Sequence, residues 1–190
     1  RRQRLSDLLR QLRRRFTSAD GARHTLISLS PGPFRFAYNQ WLQDWELWAL
    51  GDLIDELVIQ NYAYSVAGFA KDLEQPALVK ARGWGMPVEI GILAGFGGRT
   101  TPMEVLARKT SLAVGRGHGV IYFYWEGLWG RYAGAEGGEF RRQAFQQLHQ
   151  GLLNPTASGL SVPGLLPAGL LPLSRPAALP PPPPPLPRGR

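Results

Sequence analysis

With 190 residues, 44% of them apolar and 11% aromatic, the chain has room for one domain with a substantial core. It has no cysteine, which excludes a disulfide framework, a thiolate nucleophile and cysteine metal ligands, and fits a reducing or an oxidising compartment equally. The net charge of +8 does not mark a nucleic-acid face: residues 1–15 hold seven Arg and one Asp, residues 151–190 hold three Arg and no acid, and residues 16–150 set twelve bases against thirteen acids.

The opening "RLSDLLRQLRRRF" places Leu5, Leu8, Leu9, Leu12 and Phe16 on one helical face, the pattern of an outer helix packed on a core; a membrane-surface helix is the weaker alternative. No run reaches the roughly 18 apolar residues of a membrane span, and no apolar signal-peptide core precedes a small-residue cleavage site. A first short strand is expected at "TLISLS" (Thr25 to Ser30). It is followed by the aromatic connection "PGPFRFAYNQWLQDWELWALGD", where Tyr38, Trp41, Trp45 and Trp48 fall at i, i+3, i+7 and i+10. That spacing predicts one helical face carrying all four rings. The face reads either as a core stripe or as a stacking platform for sugar rings, with Asn39, Gln40 or Asp44 bonding the hydroxyls.

The second strand is expected at "ELVIQNY" (Glu56 to Tyr62), with a helix over Val66 to Arg82 behind it. The third, "PVEIGIL" (Pro87 to Leu93), carries Glu89 in mid-strand, where an acid needs a structural partner. The loop "GFGGRTTP" (Gly95 to Pro102) leads into a helix over Pro102 to Val114 and is a weak phosphate-site candidate. The fourth strand, "GVIYFYW" (Gly119 to Trp125), is followed by a closing helix around Glu139 to Leu153. From Gly151 onward the composition shifts. Twelve of the seventeen prolines lie in the last forty residues, so a disordered tail with polyproline II character near its end is expected. A docking role for "PPPPPPLPRGR" on a proline-reading module is the minor alternative.

Strands starting near Leu26, Leu57, Val88 and Val120, with helical patterns between them, are βα units feeding a parallel sheet. Their spacing of about 31 residues matches the unit of an eight-stranded barrel, which takes roughly 250 residues. Four units therefore predict an α/β fold corresponding to the C-terminal half of a (β/α)8 barrel over residues 1–150, with the Pro-rich tail over 151–190. A complete doubly wound domain is the alternative. Half a barrel exposes two sheet edges, so self-association through them is expected.

In either fold the ligand site lies beyond the carboxyl ends of the strands. Those ends offer Ser30; Gln60, Asn61 and Tyr62; Gly95; and Tyr124, Trp125 and Glu126. Glu126, between Trp125 and Trp129, is either an acid for chemistry or a strand-end acid bonded to a backbone amide or Arg131. Asp55 and Glu56 precede their strand, where stability is the usual role. His24, His118 and His149 share no metal-ligand spacing, and neither a metal nor a cofactor is expected.

Three segments together, "ISLSPGPFRFAYNQWLQDWELWALGDLIDELVIQNY", "PVEIGILAGFGGR" and "GVIYFYWEGLW", resemble the glycosyl-hydrolase-like 10 domain family, common in bacteria and especially in cyanobacteria. The resemblance covers about Phe16 to Gln150. It rests on the S-x-S-P step at Ser28 to Pro31, the "LQDW" at Leu42 to Trp45, the "DEL" before the second strand and the aromatic-Glu-x-Leu-Trp end at Trp125 to Trp129. It implies a (β/α)8 barrel acting on carbohydrate. Under that resemblance Glu126 is the first candidate acid and Asp44 the second, while Tyr38, Asn39, Trp41, Trp45, Gln60, Tyr62, Tyr124 and Trp129 line the sugar site. Two departures stand out. The family's acidic motif belongs to an earlier strand, outside this chain, whereas glycoside hydrolysis takes two carboxylates about 5 to 10 Å apart. In "QNYAY" a basic residue is expected soon after the tyrosine and none follows.

Overall fold

The computed structural model describes residues 1–17 and 25–153. His24 and the Pro-rich segment beyond residue 153 lie outside the described residues. Chain order gives α1 (Arg2–Arg15), β1 (Ser28–Leu29), α2 (Phe34–Gln40), α3 (Trp45–Leu50), β2 (Glu56–Asn61), α4 (Val66–Leu73), α5 (Pro76–Gly83) and β3 (Val88–Leu93). Then follow the hairpin strands β4 (Gly95–Phe96) and β5 (Arg99–Thr100), α6 (Met103–Gly115), β6 (Gly119–Phe123), α7 (Trp125–Leu128), a 3-10 turn (Gly134–Glu136) and α8 (Gly138–Leu153).

The main sheet is parallel throughout, in the order β1-β2-β3-β6, with helices between successive strands. This is the mixed α/β arrangement expected from the alternation of β-favouring and helical runs. Register pairs Ile59 with Ile90, and Ile90 with Val120, so Leu57, Ile59, Ile90, Ile92, Val120 and Tyr122 point to one face. There they pack against Phe69, Leu73, Leu78, Leu106 and Phe145 of the helices. The opposite face carries Val58, Gln60, Glu89, Gly91, Ile121 and Phe123, and no helix covers it among the described residues.

Two expectations need correction. The helix over Val66 to Arg82 is two helices: Pro76 forces Gln75 into an extended conformation (ψ 134°), ending α4 at Leu73 and restarting the chain as α5 with proline in its first turn. The aromatic connection is likewise two helices, because Leu42 takes a left-handed backbone (φ 60°) and Asp44 then caps α3 by accepting from the Leu47 amide (3.4 Å). Tyr38, Trp41, Trp45 and Trp48 therefore do not share one face. The closing helix spans Gly138–Leu153, as expected from the sequence.

At the N-terminal end of the sheet Asp55 holds three elements together. Its carboxylate accepts from the Arg13 guanidinium of α1 (2.5 Å) and from the Ile27 amide ahead of β1 (2.8 Å). Arg13 also donates to the Leu53 carbonyl (3.2 Å), and its side chain is nearly fully buried. A buried ion pair with backbone partners on both sides costs far less than an isolated charge.

Candidate functional site at the carboxyl ends of the strands

The carboxyl ends of β2 and β6 meet across β3. Tyr62, one residue past β2, stacks on Phe123 at the end of β6 with ring centroids 5.3 Å apart. Burial holds the Tyr62 hydroxyl above its ordinary pKa, so it remains a neutral donor. Tyr124 follows through a cis peptide bond, with its ring 4.7 Å from Phe123 and 6.3 Å from Phe96 on the β4–β5 hairpin. Beyond it Trp125 is 65% exposed and stands edge-on to Trp129, while Trp129 leans on Phe145 of α8.

Glu126 occupies the first turn of the short helix α7, half-buried. Its Oε2 accepts from the Arg131 amide (2.9 Å) and its carbonyl accepts from the Tyr132 amide (2.8 Å). The turn is shaped for this: a Cβ on Gly130 would lie 2.1 Å from Oε2, so only glycine leaves room for the carboxylate. Oε1 has no partner among the described residues. The acid is thus oriented by backbone through one of its two oxygens.

What holds α7 is a residue that sequence reasoning missed. Arg141 of α8 is fully buried and donates to the Gly127 carbonyl (3.1 Å), the Leu128 carbonyl (2.9 Å), the Thr101 carbonyl (3.1 Å) and Glu136 (2.6 Å). Two of those acceptors are α7 carbonyls that have no partner within the helix. Glu136 in turn accepts from the Met103 amide at the start of α6 (3.0 Å). That helix end is the place a phosphate would need, and a carboxylate of the chain already fills it. Long-range pairing of this kind leaves no local signal in "EFRRQAF".

The other candidates are dispersed. Gln60 uses its amide on the Ser30 carbonyl (2.8 Å) and hydroxyl (3.3 Å), stitching β1 to β2 on the uncovered face. Asn61 points the other way, buried, and donates to the Phe69 carbonyl (3.0 Å). Trp41 is 47% exposed and folds with Phe36 over Gly32, just past β1. Asn39 is exposed beside it, whereas Tyr38 is covered by the Arg2 guanidinium, 3.5 Å above its ring. Trp45 belongs to the core and not to a ligand surface: it is fully buried and its Nε1 donates to the Gly32 carbonyl (3.3 Å).

Asp44 and Glu126 belong to different elements. Asp44 caps α3 and lines a cleft of about 470 Å³ with Arg1, Arg2, Ser6 and Tyr38, between α1 and the α2–α3 layer. Glu126 follows β6, at the other edge of the sheet. β1 and β6 are the two outer strands of the sheet, three strand spacings or about 14 Å apart along it. Among the described residues no group of three His, Cys, Asp or Glu side chains is placed to hold a metal.

Comparison with known proteins agrees with this architecture at the level of family. No curated protein and no solved structure matches the chain. The sequence profile of the glycosyl hydrolase-like 10 family matches residues 1–111, which take in α1 through most of α6 and more than half of the chain. A parallel α/β sheet with a match of that extent places the chain in the glycosyl hydrolase-like 10 family.

Proposed function

We propose that this chain forms the C-terminal half of a (β/α)8-type carbohydrate-handling domain, with the sugar bound beyond the carboxyl ends of β2, β3 and β6. The observation that carries the reading is the group of rings around one oriented acid: Tyr62 stacked on Phe123, Tyr124 beside them, and exposed Trp125 next to Glu126. A pyranose face is apolar enough to pack on such rings, while its hydroxyls need acceptors of the kind Glu126 Oε1 offers. Trp41, beside Gly32 just past β1, would meet a longer chain of sugars, with Asn39 of α2 as a further contact.

In this reading Glu126 supplies one of the two carboxylates that glycoside hydrolysis requires, while Asp44 serves as the cap of α3. The chain by itself therefore binds sugar without cleaving it. Binding of soluble oligosaccharides, followed by tryptophan fluorescence, tests the proposal. Trp125→Ala is expected to weaken binding at least tenfold, about 1.4 kcal/mol, with an unchanged melting temperature. Glu126→Gln keeps an acceptor for the Arg131 amide and should retain the fold. If no glycan quenches the fluorescence, or Trp125→Ala binds as the parent does, the reading fails.

A further inference from the structure

The turn that enters β6 carries a second group of polar side chains, with no part in sugar binding. A cavity of about 300 Å³ lies there, between the end of α4, α5 and that turn. Leu73 and Leu78 line it with apolar surface, while Glu74, Arg82, Arg116 and His118 supply the polar side chains. Of the lining residues Glu74, Val79 and Arg82 are exposed, so a small molecule can enter from solvent. The volume is about ten times the share of one water in the liquid, enough for an anion of a few heavy atoms with its nearest waters.

Charge in this cavity is unbalanced. Arg82 donates to the Arg116 carbonyl, and a Cβ on Gly117 would lie 2.8 Å from its Nη2, so the guanidinium lies against the turn that leads into His118. Arg116 pairs with Glu74 (3.0 Å), the one acid in the lining. That pair is partly exposed and therefore weak, and no acid engages Arg82 among the described residues. His118 is only 5% exposed, yet its buried Nδ1 has no hydrogen-bond partner among the described residues. A buried polar atom left unpaired is uncommon in a native fold, and here it sits beside two cations.

We propose that Arg82, Arg116 and His118 form a binding site for a tetrahedral oxyanion of the sulfate or phosphate type, either free or carried as an ester on a larger molecule. Guanidinium forks match the oxygens of such a group. Without an anion, burial and then the charges of Arg82 and Arg116 hold the ring neutral, with a pKa of about 4. A bound anion offsets those charges, so the ring takes up a proton and both of its nitrogens become donors. Glu74 opposes binding, because it competes with the ligand for Arg116.

The test titrates sodium sulfate into the 190-residue chain at pH 7.5 and pH 5 in one chloride background, with binding followed by calorimetry and the His118 ring by NMR. Saturating sulfate should raise the midpoint of the ring to about 6, which by linkage makes binding about tenfold tighter at pH 5 than at pH 7.5. Arg82→Gln should weaken binding at least tenfold, and Glu74→Gln should tighten it. Both side chains are exposed, so neither change is expected to unfold the chain. Glycerol 3-phosphate and inorganic phosphate distinguish the sources: tighter binding of the ester assigns the site to an esterified group, and equal or weaker binding assigns it to the free ion. The proposal is overturned if none of these anions binds at pH 5, if Arg82→Gln binds sulfate as the parent does, or if bound sulfate leaves the His118 midpoint where it was. The cavity lies at the opposite end of β6 from Glu126, so these outcomes are independent of the Trp125 experiment.

Discussion

His118 sits just before β6 with its ring buried, and Arg82 and Arg116 line the same small cavity, at the opposite end of β6 from Glu126. Burial, then the charge of Arg82 and Arg116, push its pKa down to about 4, so the folded protein holds it neutral. An unfolded chain would protonate it near 6.5. Between those values the unfolded state binds the proton that the folded state refuses, and stability falls as the pH drops from 6.5 toward 4. A gap of that size corresponds to about 3 kcal/mol. Urea melts of the parent and His118→Gln at pH 7 and pH 4.5 should show the parent losing roughly that much more than the variant. Equal losses would mean the ring is hydrated in solution. Nothing in "RGHGV" announces this burial; it follows from the placement of α5 against the turn that enters β6.

At the scale of elements, α7 depends on two backbones meeting without side chains between them. A Cβ on Gly127 would lie 2.5 Å from the Gly95 amide nitrogen and 2.8 Å from its carbonyl oxygen, and one on Gly95 would lie 2.9 Å from the Tyr132 carbonyl. Rigid backbone on both sides leaves no room for relaxation. Gly127→Ala should therefore cost more than 2 kcal/mol and swing Trp125 away, which a thermal melt and a shift in tryptophan emission would both record. A variant with parental stability would show that α7 is not docked on the hairpin. This level was only partly legible in the sequence. The strands were readable because β-branched and aromatic runs recur with turn residues between them. The break at Pro76 was also legible in principle, since proline stops a helix, and Asp44 ahead of "WELW" is an N-cap signal. Aromatic periodicity overrode it, because a spacing of 3, 4 and 3 reads as one helix unless the left-handed turn at Leu42 is known. The contact of Gly95 with Gly127 joins residues too distant in sequence for any local pattern.

Across the whole molecule the sheet has two unlike faces, and this asymmetry governs how the isolated chain behaves. Ile90 and Ile92 are fully buried under α4–α6, whereas Ile121 is 43% and Phe123 39% exposed on the other side. Parallel sheets are rarely left open on one face, because their strands carry apolar residues in both directions. The same substitution should consequently act in opposite ways on the two sides. Ile90→Ser removes buried apolar volume and leaves a hydroxyl among the helix-facing residues, a loss of about 3 kcal/mol or more that should lower the melting temperature sharply. Ile121→Ser removes exposed apolar surface in the isolated chain. It should leave the melting temperature nearly unchanged, and would shift the 190-residue chain toward monomer in size-exclusion chromatography with light scattering were this exposed patch the surface through which copies associate. Should Ile121→Ser destabilise as much as Ile90→Ser, the face that carries Ile121 is packed within the chain itself in solution. The sheet would then have no open side for a partner, and the unpaired edges of β1 and β6 would need another explanation.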